Sequence, residues 1–129
     1  MIYGIGTDII EIERIRQSIR RHGLYLLNRL FTPEEQQYCQ KHLDASPHFA
    51  GRFAAKEAVS KALGCGLGAA LSWLDIEILN DENGKPCAYL SKKAQERFGC
   101  VSIHLSISHC KQHAQAFAIA SKMKTTADS

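Results

Sequence analysis

Four alanines spaced by four, Ala50, Ala54, Ala58 and Ala62, are the strongest constraint on how this chain can fold. That spacing lines one side of a helix with methyl groups only, so a neighbour can approach its backbone closely. The break Asp44-Ala45-Ser46-Pro47 starts this helix and Gly64 ends it, which predicts a helix over roughly 47–63. A suitable neighbour lies at the other end of the chain. Residues 2–7 read as a short strand in which Gly4 and Gly6 interleave with Tyr3 and Ile5. Glycine inside a strand marks close approach of another backbone or of a ligand.

The other elements follow from periodicity and punctuation. Ile12, Ile15 and Ile19 define one helix face starting near Ile10, with Gly23 as its cap and a further turn or two over Leu24 to Leu30. Thr32-Pro33-Glu34-Glu35 matches a capping box with proline in the first helical position, predicting a helix to about Leu43. Strands are expected over 74–80 and 87–90 around an Asn83-Gly84 turn, followed by a short helix from Ser91 to Phe98. Val101, Ile103, Leu105 and Ile107 alternate with Ser102, His104, Ser106 and Ser108, as in a strand with one buried face. Ala114 to Ala120 is a last strand. Early helices and late strands predict an α+β fold with an antiparallel sheet packed against helices. One domain over residues 1–121 is expected, with a loose polar tail over 122–129.

Composition narrows the function classes. No apolar run in the 129 residues approaches the ~20 needed to span a bilayer, and Asp8 falls where the apolar core of a secretory signal would run. No membrane association is expected. Five cysteines, an odd number with no C-x-x-C pair, disfavour a disulfide framework or a zinc ribbon and fit reduced thiols in the cytoplasm. The net charge of +3 is mild, but Arg14, Arg16, Arg20 and Arg21 fall within eight residues that contain no acid. Arg14 and Arg21 share a helix face bordered by Ile15 and Ile19. That face is either solvated or a docking surface for an acidic partner. Nucleic acid fits poorly, because no recognised reading motif accompanies the arginines.

Several groups could carry chemistry. Asp8 is either a helix N-terminal acid or a metal ligand. Arg52, Lys56, Glu57 and Lys61 on the alanine-rich helix could all be solvated, with Glu57–Lys61 an ordinary surface pair. Gly64-Cys65-Gly66-Leu67-Gly68 follows a helix, whereas a phosphate cradle precedes one. His104, His109, Cys110 and His113 lack a second ligand pair for zinc. Ser108-His109 is a poor nucleophile pair, since adjacent strand residues point to opposite faces; His109 is better suited to contacting an anion.

Taken together, Gly4 to Ile15, Gly51-Arg52-Phe53-Ala54-Ala55-Lys56-Glu57-Ala58 through Gly64, and Ser106-Ile107-Ser108-His109 resemble one family over residues 2–120. It is the short, single-domain 4′-phosphopantetheinyl transferases, the holo-[acyl-carrier-protein] synthases. The resemblance implies transfer of 4′-phosphopantetheine from coenzyme A to a serine of apo acyl carrier protein, with release of adenosine 3′,5′-bisphosphate. That reaction serves fatty acid biosynthesis. The nucleophile is the partner's, which accounts for the lack of a convincing one here.

The resemblance also implies residue roles. Asp8 and Glu57 hold Mg²⁺, with Mn²⁺ as the alternative ion, and Lys61 reaches the phosphates. These three form the catalytic set. Arg52, Gly64, Gly84, Pro86, Ser108 and His109 lie against the nucleotide, with Arg52 and His109 near the 3′-phosphate. Arg14, Ile15, Ile19 and Arg21 dock the carrier protein. A homotrimer with coenzyme A held between subunits is expected. Cys65 and His113 stand where many relatives have threonine and tyrosine. The competing reading from another class is a non-catalytic module that docks an acidic protein, for which an Asp8/Glu57 pair would serve no purpose.

Overall fold

The glycines of the first strand and the alanines of the long helix do meet. In the computed structural model, which describes residues 1–122, β1 spans Ile2–Glu11 and α3 spans Ser46–Ala62. A Cβ built on Gly4 would lie 1.9 Å from the Ala62 carbonyl oxygen, and one on Gly6 the same distance from that of Ala58. No side chain fits in that space, so backbone packs on backbone.

Between these two elements run α1 (Ile12–Leu30) and α2 (Pro33–Gln40). After α3 come a 3₁₀ turn at Trp73–Asp75, the hairpin β2 (Ile76–Asn80) and β3 (Pro86–Leu90), α4 (Lys92–Phe98), β4 (Val101–His109) and β5 (His113–Lys122). One antiparallel sheet has the order β1-β5-β4; β2 and β3 form a second, two-stranded sheet. Ala114, Ala116, Ala118 and Ala120 of β5 are fully buried beneath α3. This is the α+β arrangement expected. On the opposite face of the sheet, Ile5, Ile9 and Phe117 are exposed.

The boundaries differ in instructive ways. The helix expected from Ile10 starts at Ile12, because Ile9, Ile10 and Glu11 pair with Gln115, Ala114 and His113 and prolong the strand. Gly23 does not end α1. It bends it, with φ 56° and ψ −137°, and the helix resumes to Leu30. The capping box at Thr32 is complete in both directions, but α2 stops at Gln40 rather than near Leu43. Lys122, expected to begin the tail, ends β5; the tail from 123 to 129 lies outside the described residues.

The capping-box acid has a second task. Glu35 is fully buried, as is Lys56, and their side chains pair at 2.7 Å. Lys56 Nζ also donates to the carbonyls of Leu30 (2.7 Å) and Trp73 (3.1 Å). Glu35 accepts from the backbone N–H groups of Thr32 and Ile78, each at 2.8 Å. The pair therefore ties α1, α2, α3 and β2 together. The solvated reading of Lys56 and Arg52 fails here: Arg52 is only 4% exposed.

No helix among the described residues is long and apolar enough to cross a membrane.

Candidate active site

Asp8 is placed by the same contact that excludes side chains at positions 4 and 6. Strand alternation puts Gly4, Gly6 and Asp8 on one face of β1, and that face lies against α3. Asp8 is inside the strand, opposite Ala116, four residues before α1 begins. It is therefore not a helix N-terminal acid.

Lys61, in the last turn of α3, reaches back across β1. Its Nζ donates to the Thr7 carbonyl at 2.9 Å and to Asp8 Oδ1 at 3.3 Å. The lysine side chain is 51% exposed and the aspartate 20%. Glu57, one turn earlier on α3, is half-buried. Partial burial pushes its carboxyl above the ordinary carboxylate range; the Asp8 charge adds to the shift and Lys61 opposes it. Asp8 thus acts electrostatically on Glu57, as two carboxylates facing one site do. The expected catalytic set, Asp8, Glu57 and Lys61, comes together from the two ends of the β1–α3 contact.

This donor set suits a hard divalent cation. Mg²⁺ takes one or two carboxylates and completes its shell with phosphate oxygens and water. Burial is the larger cause of the raised Glu57 carboxyl; the part contributed by the Asp8 charge is one that a bound cation would relieve.

An open depression lined by Thr7, Asp8, Ile9, Lys61 and Gln115 adjoins a second, lined by Ile9, Ser108, His109, Cys110, His113 and Gln115. Ile9 and Gln115 form the shared wall. Ser108 and His109 are both exposed at the end of β4. The expected nucleotide contacts at 108 and 109 therefore border the carboxylate site along the sheet.

Arg52 lies elsewhere on α3. Its guanidinium sits 4.1 Å over the Tyr38 ring and donates to the Asn80 side chain. Its Nε has no hydrogen-bond partner, and among the described residues no carboxylate pairs with it. Asn80 in turn donates to the Gly84 carbonyl at 2.8 Å. Gly84 has φ 82°, a left-handed turn position that glycine fills without strain, and Pro86 then opens β3 opposite Asn80. Asn80 links the expected contacts Arg52, Gly84 and Pro86, and the sequence reading missed it. Gly64 is exposed just past α3, also with positive φ.

The basic face of α1 is only partly as expected. Arg14 and Arg21 are exposed and line one shallow depression with Gln17, Ser18 and His22. Arg16 is occupied, pairing with Glu13 and with Asp44. Ile15 is 6% exposed and belongs to the core with Leu27, Phe31 and Phe49, so it cannot meet a partner; Ile19 is half-buried against the same cluster. Both isoleucines lie on the inward stripe of the amphipathic helix. The exposed apolar side chains beside Arg21 are Leu24 and Tyr25, just beyond the bend at Gly23.

Cys65 is half-buried, and that burial pushes its thiol upward, away from the reactive thiolate form.

Comparison with known proteins fixes the class. Residues 4–120 match the model of the 4′-phosphopantetheinyl transferase superfamily. The chain is 53% identical over 119 residues to the holo-[acyl-carrier-protein] synthase of Protochlamydia amoebophila, covering 92% of this chain and 98% of that one. A crystal structure of holo-[acyl-carrier-protein] synthase from Neisseria meningitidis aligns with a TM-score of 0.86 at 37% identity, over 95% of this chain and 100% of that one. The Helicobacter pylori synthase, solved in complex with coenzyme A, gives 0.85 at 40% identity, over 91% and 99%. The fold is thus that of an enzyme that transfers phosphopantetheine. The chain belongs to the 4′-phosphopantetheinyl transferase superfamily, within the family of short holo-[acyl-carrier-protein] synthases.

Proposed function

We propose that the chain moves the 4′-phosphopantetheine group of coenzyme A onto a serine hydroxyl of apo acyl carrier protein and releases adenosine 3′,5′-bisphosphate. The observation that carries this reading is the meeting of Asp8 and Lys61 in one open depression, with Glu57 near enough on α3 for the Asp8 charge to add to the rise of its carboxyl. The serine hydroxyl gives up its proton to solvent, and its oxygen forms a bond to the phosphorus on the pantetheine side of the pyrophosphate. The bond from that phosphorus to the bridging oxygen breaks, and the adenosine-bearing phosphate leaves with it.

Asp8 and Glu57 would hold Mg²⁺, which supplies charge neutralisation and alignment of the pyrophosphate. Lys61 is half-exposed, and among the described residues only Asp8 and the Thr7 carbonyl hold it, so it can turn to the phosphate oxygens as charge develops on the leaving group. The Arg52–Asn80–Gly84 relay and Ser108-His109 would flank the nucleotide. Arg14 and Arg21 would steer the acidic carrier protein, with Leu24 and Tyr25 providing the apolar contact first assigned to Ile15 and Ile19. The reaction feeds fatty acid biosynthesis in the cytoplasm, where the five thiols stay reduced.

A homotrimer completes this reading. The outer face of the β1-β5-β4 sheet exposes Ile5, Ile9 and Phe117, and no element of the chain covers it among the described residues. Ile9 belongs to both depressions, so a second copy seated on this face would wall the site.

The test mixes the protein with coenzyme A, Mg²⁺ and apo acyl carrier protein and follows the carrier's intact mass. A gain of one phosphopantetheine is expected; no gain with a folded enzyme and a competent carrier defeats the reading.

A further inference from the structure

Helix α2 turns two side chains towards α3. Glu35 and Tyr38, three residues apart, share a face of α2; Lys56 and Arg52, four apart, share a face of α3. The pairs match in opposite chain directions. Glu35 meets Lys56 at 2.7 Å, and Tyr38 meets Arg52, whose guanidinium carbon stands 4.1 Å from the ring centroid. One cation of α3 is thus given a carboxylate and the other an aromatic face.

The two partners leave their cations in different states. Glu35 neutralises Lys56. Arg52 is 4% exposed, yet among the described residues no carboxylate pairs with it. The ring face attracts a guanidinium through its quadrupole, and the Asn80 side chain accepts one of its N–H groups. Neither partner carries charge. Arg52 is therefore fixed in place with its positive charge uncancelled, whereas a carboxylate there would have cancelled it. The ring is itself braced at its edges. His42, in the turn after α2, lies 5.1 Å from it at 63°, and His48, in the first turn of α3, lies 6.2 Å from it at 80°. The two histidines stack on each other at 3.5 Å. Burial first, then the charges of His42, His109 and Arg52, hold His48 below the ordinary histidine range, with Asp44 opposing. Near pH 7.5 His48 thus braces Tyr38 as a neutral ring and adds no second positive charge beside Arg52.

We propose that Tyr38 is a positioning residue for the transfer reaction: its ring face holds the Arg52 guanidinium in place without neutralising it, so that the charge remains available to the anionic coenzyme. The proposal rests on the coenzyme A reading above and adds a residue that no part of that reading uses. Tyr38 touches Arg52 rather than the substrate, and it stands apart from Asp8, Glu57 and Lys61. Its effect therefore falls on coenzyme A binding and not on bond making, and it passes through Arg52. The ring face makes the contact and the hydroxyl does not, so a phenylalanine serves equally well.

Steady-state kinetics with saturating apo carrier protein at pH 7.5 test this. Tyr38→Leu should raise the KM for coenzyme A by about 10-fold with kcat nearly unchanged, and Tyr38→Phe should keep the unaltered KM. In an Arg52→Ala enzyme, Tyr38→Leu should add nothing further. Because leucine could loosen α2, a second series places successively fluorinated phenylalanines at position 38. These keep the ring's shape and withdraw the electron density from its face. The KM for coenzyme A should climb with each added fluorine while the melting temperature stays level. A flat series overturns the proposal, as does a Tyr38→Phe enzyme no better than Tyr38→Leu, or a leucine effect that persists in full without Arg52. If the unaltered enzyme shows no coenzyme A-dependent modification of the carrier, the coenzyme A reading falls together with the proposal; normal transfer with a flat series overturns the role of Tyr38 alone.

Discussion

Helix α3 carries two lysine–carboxylate pairs, and they differ in every respect that decides their use. Lys56 and Glu35 are fully buried, meet at 2.7 Å and satisfy one another with four further hydrogen-bond partners around them, Leu30, Trp73, Thr32 and Ile78. Lys61 and Asp8 meet at 3.3 Å, half in solvent, with Glu57 close enough to be shifted. A satisfied buried pair holds elements together and has no spare capacity for a ligand. A loose, partly exposed set retains lone pairs and charge to offer one. One helix thus fastens the fold at one position and serves the site one turn further on.

The comparison is broken most sharply by removing acids from the open set. Asp8→Ala and Glu57→Ala should each lower carrier-protein modification by about 100-fold or more, the scale of losing a group that stabilises transition-state charge. Their melting curves should stay near that of the unaltered protein. Modification at full rate in either variant would remove that residue from the site. The sealed pair should behave in the opposite sense. Lys56→Ala leaves the Glu35 charge buried and should cost about 3–5 kcal/mol of stability, read from chemical denaturation.

Next comes the contact that positions the open set. Gly6→Ala forces a Cβ to within 1.9 Å of the Ala58 carbonyl oxygen. Such overpacking costs about 1–3 kcal/mol and should lower activity beyond the stability loss, because β1 must move away from α3 and take Asp8 with it. An alanine variant with unchanged stability and activity would show that the strand–helix approach does not set the site.

On the docking face, Arg14→Glu with Arg21→Glu should raise the KM for carrier protein at low salt, and the effect should fade at high salt as charges are screened. The smallest expected effect is Glu57→Gln on stability without metal. Glu57's carboxyl is raised in the fold, so its ionised form is disfavoured there. The amide should therefore stabilise the protein above that pKa, by ~0.5 kcal/mol at most after solvent screening, and the gain should vanish as pH falls through it.

The same contrast governs what could be read from the sequence. The small-residue stripe, the interleaved glycines and the capping box each have a local physical signature, and each appears where the spacing places it. Asp8, Glu57 and Lys61 were reachable because the motif around them resembles a known family; position alone favoured bland readings for all three. Lys56 was misread as solvated, and the second role of the capping-box acid Glu35 was missed, because nothing in a local window shows that residues 21 apart will be buried together. Ile15 was misassigned for the converse reason: periodicity identifies an apolar stripe but not whether it faces a partner or the chain's own core. Asn80 and the His42–His48 stack lay out of reach because they depend on the turn after α2 and the second hairpin folding towards α3.

The most direct test of this division is the intact-mass time course of apo acyl carrier protein with coenzyme A, Mg²⁺ and the Glu57→Ala enzyme, confirmed as folded by its melt. The prediction is no detectable phosphopantetheine gain over the time in which the unaltered enzyme converts all of the carrier. Conversion at the unaltered rate would contradict the assignment of the open set as the catalytic centre.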